Sequence, residues 1–189
     1  MKKSWLLAIG YWLLAVGARA QDAPHYETQT NIKLENTFTA KKLSAEELAA
    51  FELRAEQKLK DFYNYLEVIS NPKYDKKLRQ DARTQVLELF VSGEKSIVDG
   101  KAIDGFLDSC MDARSKTIPL PVTEINITKG FNGSNPVNPA IYTGTISFSL
   151  SRVQGSSEKH QADIMLIKTE KLFGTEKKLV WTVYLVEIK

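Results

Sequence analysis

Disulfide stapling is excluded at the outset. Cys110 is the only cysteine in 189 residues, and an internal bridge needs two. Histidine is almost as scarce. His25 and His160 lie far apart in sequence, and with one cysteine they make no ligand set of recognised metal spacing. No resident metal and no cofactor is therefore expected. Glycine and proline number ten and six, too few for a flexible or polyproline linker array. What is present is ordinary globular composition, 43% hydrophobic and 26% charged, which suits one folded domain rather than a disordered chain. Stability must then come from a core. Cys110 is read as a small buried hydrophobe within it, not as a reactive thiol.

Long apolar runs are missing too, with one exception at the start. Lys2 and Lys3 precede an apolar run from Trp5 to Val16, and Ala18-Arg19-Ala20 supplies a small-x-small cleavage pattern before Gln21. The run falls short of the roughly 20 residues that span a hydrocarbon core. Residues 1–20 read as a cleaved signal peptide. The protein is then exported, periplasmic or secreted, with no stable membrane span after processing. The excess of positive charge leaves with the signal: 26 basic residues less Lys2, Lys3 and Arg19 balance the 23 acids. A neutral mature chain has no global attraction for phosphate backbones, so nucleic acid is not expected as a partner.

Residues 21–43 are polar and read as a weakly ordered lead-in. A single α+β domain is expected over 44–189. Ser44 followed by Glu47 is a capping-box pattern. Leu48, Phe51, Ala55, Leu59, Phe62, Leu66 and Ile69 then recur at steps of three and four, one apolar stripe on a helix that stops near Asn71-Pro72. A second helix is predicted from about Asp75 to Phe90, with Leu78, Ala82, Val86, Leu89 and Phe90 as its stripe and Gly93 to end it. Ser96-Ile97-Val98 reads as a brief strand and Asp99-Gly100 as a turn. Ile103, Phe106, Leu107, Cys110 and Met111 indicate a short third helix.

After Arg114 the period shortens to two. Val122–Thr128 is a predicted strand, and the segment FNGSNPVNP is a loop. Tyr142, Gly144, Ile146, Phe148 and Leu150 alternate with Thr143, Thr145, Ser147, Ser149 and Ser151, a strand with one buried and one wet face. Gln154–Lys159 reads as a turn, 161–169 as the next strand, and Gly174 lies in the turn after it. Leu179–Ile188 is apolar on both faces, as in a central strand or one covered by a helix and a partner.

Helices first, then four antiparallel strands after a brief strand and a short helix: this order, with the long stripe through Phe51, Phe62 and Leu66, resembles the nuclear-transport-factor-two-like superfamily, which includes the ketosteroid isomerases. A cystatin-like helix-and-sheet domain is the nearest competing fold. The resemblance covers Ser44 to Lys189 and implies a cone, with N-terminal helices packed on a curved antiparallel sheet. It also implies an apolar pocket between the long helix and the concave sheet, lined by Phe62, Tyr65, Leu66, Phe106, Tyr142, Phe148, Trp181 and Val183. The plainer reading, preferred on the residues themselves, is that these side chains fill the core.

Two functions of different class follow. The preferred one is a non-catalytic exported binding or scaffold module, with a small apolar ligand or a protein partner. Thr143, Thr145 and Ser147 are small enough for a homodimer through the outer sheet face. The alternative is a pocket enzyme of proton-transfer or hydrolytic type, which needs a desolvated carboxylate beside an oxyanion donor. Asp99, Asp104, Asp108 and Asp163 are its available acids, and Tyr65 and Tyr142 its donors. None matches a catalytic motif, and solvated carboxylates are the preferred reading. Both histidines are expected outside the core.

Overall fold

Ser44 begins the first helix as the spacing requires. Its hydroxyl accepts from the Glu47 amide at 3.2 Å, and the Glu47 carboxylate accepts from the Ser44 amide at 2.7 Å. That reciprocal pair satisfies two amide donors that a helix start leaves open. Helix α1 spans Ala45–Ser70, and its stripe buries Phe51, Ala55, Leu59, Phe62, Leu66 and Ile69. The computed structural model describes residues 42–91, 96–112, 121–131, 141–151 and 157–189. The predicted signal peptide, the lead-in up to residue 41, Gly93 and residues 132–139 of the predicted loop lie outside the described residues, as do residues 154–156 of the predicted turn.

Helix α2 spans Lys76–Leu89, capped by the Asp75 carboxylate on the Leu78 amide at 2.8 Å. Ala82, Val86 and Leu89 are buried, but Leu78 is 44% exposed. Its place in the stripe is corrected: the first turn of α2 overhangs the core. The next residue does the anchoring there. The Arg79 side chain donates from Nε to the Ile69 carbonyl at 2.6 Å and from Nη2 to the Met111 carbonyl at 2.7 Å.

The brief strand β1, Ile97–Val98, is followed at once by a second, β2, Lys101–Ala102. Asp99 and Gly100 join them with φ of 49° and 73°, the double left-handed geometry of a type I′ hairpin turn. The turn was legible in the sequence; the two-residue strand after it was not. Helix α3, Ile103–Met111, buries Ile103, Leu107 and Cys110.

Four strands complete the fold: β3 Val122–Lys129, β4 Ile141–Ser151, β5 Ser157–Phe173 and β6 Glu176–Ile188. Strand β5 is longer at both ends than the alternation predicts. The supposed turn residue Lys159 lies within it, paired with Ser149. The sheet order is β2-β1-β6-β5-β4-β3. Neighbours are antiparallel except β1 and β6, which are parallel, so the sheet is mixed and not wholly antiparallel. The molecule is an α+β fold with helices against one six-stranded sheet. Strand β6 is internal, as its two-sided apolar sequence suggests. Leu179 is nevertheless 59% exposed, because the β5–β6 ribbon runs on past the end of β4.

The core lies between the helices and the sheet. Phe62 meets Phe90 edge-on at 5.4 Å and Phe106 at 6.4 Å, so one side chain of α1 touches the end of α2 and the middle of α3. Leu59, Ile69, Leu107, Ile146, Ile164, Leu166 and Leu185 fill the space around these rings.

Candidate functional site

The eight residues assigned to an apolar pocket are gathered by the fold. Phe62, Leu66, Tyr142, Phe148, Trp181 and Val183 are buried, while Tyr65 and Phe106 are half-buried and pack against them. Tyr142 and Trp181 meet edge-on at 5.4 Å. Side chains in such contact fill volume rather than enclose it. Of the eight, only Tyr65 lines a cleft described here.

That cleft lies where α1, the end of α2 and strand β6 converge, and has a volume of about 550 Å³. Helix geometry explains the contribution of α1. Lys58 and Tyr65 are seven residues apart, two turns up the same face, just beside the buried stripe. The last turns of α2 supply Gln85 and Glu88, strand β6 supplies Thr182 and Tyr184, and Lys171 reaches in from β5. The Lys58 ammonium lies 5.4 Å from the centre of the Tyr184 ring, within cation–π range. The Thr182 hydroxyl is already engaged by that of Thr169 at 2.8 Å. Burial lowers the pKa of Lys58 below its ordinary value. The like charges of Lys171 and Arg54 add to this, and Asp61 and Glu88 oppose it. Sequence reasoning missed this site because its residues are polar members of amphipathic elements. The only trace was a lysine and a tyrosine flanking one stripe at heptad spacing.

A second cleft, of about 360 Å³, lies at the start of β5, lined by Ser147, Lys159, His160, Gln161 and Lys189. His160 does not stand apart from the core as expected. Its ring stacks on Phe148 at 5.5 Å, and Nε2 is buried with no hydrogen-bond partner among the described residues, Glu158 Oε2 lying 3.9 Å away. His25 lies outside the described residues.

The candidate acids do not converge. Asp104 and Asp108 share Arg83 at 2.7 and 3.2 Å on an exposed helix–helix bridge. Asp163 accepts from the Thr145 hydroxyl at 3.1 Å and pairs with the Lys189 ammonium at 3.1 Å. Asp99 sits in the hairpin turn. Burial, helped by the negative charge of Asp99, pushes the Tyr63 phenol above its ordinary range. Tyr142, offered as an oxyanion donor, is packed beside Trp181, while Tyr65 faces the larger cleft. Cys110 is buried and its thiol is pushed up by burial, which suppresses the thiolate that reactivity needs. Among the described residues no three His, Cys, Asp or Glu side chains form a metal-binding group. None of the described helices is long and apolar enough to cross a membrane.

Comparison with family models, with curated proteins and with solved structures gives no match for this chain.

Proposed function

We propose that this chain is an exported, non-catalytic binding module of the nuclear-transport-factor-two-like kind, and that it holds a small ligand in the cleft between the helix pair and strand β6. One observation carries the binding role: about 550 Å³ of accessible space faced by Lys58, Tyr65, Gln85 and Tyr184. Small-molecule sites occupy roughly 300–1,000 Å³ and pair apolar walls with a few polar groups. The element order supports the superfamily reading, with a long helix, a second helix, a short hairpin, a third helix and then the strands. The signal-like residues 1–20 support export.

The pocket enzyme is the second reading, and the acid it would use is Asp99, an exposed turn residue whose charge acts on the partly buried Tyr63 phenol. The two are separated by a fragment screen on the full chain, read by NMR, together with a substrate screen. Binding is expected to map to Lys58, Tyr65 and Tyr184 and to survive Asp99→Asn. A turnover activity that Asp99→Asn abolishes, with the fold intact, would overturn the binding-module reading.

A further inference from the structure

The cleft beside β6 is lined by two lysines and one carboxylate, Glu88 of α2. Lys58 comes from the middle of α1 and Lys171 from β5. Neither has an ion-pair partner among the described residues, although the nearby Lys177 and Lys178 are paired with Glu170 and Glu176. Lys58 is half-buried, with its ammonium over the Tyr184 ring. We propose that the cleft is an anion-binding site for a small organic oxyanion, a carboxylate or a phosphate ester, received between Lys58 and Lys171. This deepens the binding reading given above and rests on it.

Three features of the cleft support the assignment. Charge-assisted hydrogen bonds from ammonium groups to oxyanions are about twice as strong as neutral ones, and a partly desolvated site screens them less than open solvent does. The neighbouring charges favour an anion. Two lysines against the single carboxylate of Glu88 leave the charged lining net positive, and Lys171 and Arg54 act on Lys58 more strongly than Asp61 and Glu88 do, so an arriving anion would offset that repulsion. The volume is far larger than a bare phosphate or carboxylate needs. Tyr65, Leu87 and Tyr184 offer aromatic and aliphatic wall for the organic part of the ligand. The phenols of Tyr65 and Tyr184 and the amide of Gln85 are further donors.

The test titrates the full chain with phenyl phosphate, benzoate and benzyl alcohol, following heteronuclear NMR shifts and calorimetric heats. The two anions are expected to bind saturably, with shifts centred on Lys58, Tyr65 and Tyr184. Benzyl alcohol should bind at least tenfold more weakly. Comparing phenyl phosphate with benzoate shows which oxyanion is preferred. Lys171→Met, at an exposed strand position, should weaken both anions about tenfold and leave benzyl alcohol unchanged. Lys58→Met should do the same or more, and Lys171→Met carries the test if that variant fails to fold. Benzyl alcohol binding in the cleft as tightly as benzoate, with neither substitution discriminating, would overturn the anion assignment and leave the binding reading standing. No shift at any cleft residue with any of the three probes would overturn both.

Discussion

At the residue scale, two side chains matter beyond what their chemical type announces. Arg79 reads in the sequence as one more cation on a wet helix face. In the fold it ends two helices at once, donating to Ile69 near the end of α1 and to Met111 at the end of α3. Both carbonyls belong to last turns, where acceptors lack intrahelical partners and the helix dipole is negative. Hydrogen bonds from a charged donor are each worth about 1.5–3 kcal/mol. Because Arg79 is half-buried and water replaces part of each bond, Arg79→Met is expected to cost about 2–3 kcal/mol by chemical denaturation, less than the sum of two such bonds. Arg83→Met, which loses only its pairs with the exposed carboxylates of Asp104 and Asp108, should cost under about 1 kcal/mol. Equal losses would show that the bridging role of Arg79 is wrong. Tyr63 is the second case. Burial first, and the charge of Asp99 second, raise its phenol above the ordinary 10.0. The folded state then keeps a proton that the unfolded chain releases above about pH 10. With fewer protons bound in the unfolded state, stability must fall as pH rises beyond that point. Tyr63→Phe removes this linkage, so its stability should decline less between pH 10 and 11.5 than that of the parent. Parallel decline of the two proteins would refute the linkage.

At the scale of elements, the long helix, the strand alternation and the turns at Asp99-Gly100 and Gly174 were legible, because each is written in local periodicity, capping or turn chemistry. Ser44 with Glu47 and the stripe from Phe51 to Ile69 needed no tertiary information. Three features were not legible, and each depends on partners distant in sequence. Leu78 fits its helical stripe, but whether a stripe residue meets a core depends on how far the neighbouring elements reach. Strand β2 is two residues long and exists only because β1 is held parallel to the end of β6, at Glu187 and Ile188. The larger cleft is assembled from four elements, each contributing side chains that alone look like solvated surface. Two glycines test this distinction at the level of the element. Gly100 has φ of +73°, and Gly105 lies in α3 with nothing within 4 Å of an added Cβ. Gly100→Ala forces a side chain into the left-handed region, at about 1–2 kcal/mol, and should speed amide exchange at Val98 and Lys101. Gly105→Ala gains helix propensity of about 1 kcal/mol and should raise the melting temperature. The same substitution thus has opposite signs at positions five residues apart, and matching signs would show that one backbone geometry is misassigned.

For the whole molecule, the question is whether the helices and the sheet melt as one unit. The packing argues that they do. Phe62 links α1 to Phe90 and Phe106, Tyr63 from α1 meets Phe148 of β4 at 5.6 Å, and Arg79 pins the ends of α1 and α3. Removing the sheet would expose the faces that hold the helices together, so partial unfolding forfeits most of the core, and small domains of this size usually unfold in one step. Trp181 reports on this from within the sheet. It is 2% exposed, packed edge-on against Tyr142, with the Lys168 ammonium 5.2 Å from its ring centre. In a chain that lacks residues 1–20, Trp5 and Trp12 are absent and Trp181 is the single tryptophan. Its native emission is expected to be blue-shifted, moving to the red in denaturant. Because Trp181 sits in the sheet while far-UV circular dichroism is dominated by the helices, the two probes sample different layers. Their unfolding curves should share one midpoint and one slope. Helical signal lost at lower denaturant than the Trp181 shift would mean that α1 to α3 detach from a surviving sheet, and the single shared core would have to be abandoned.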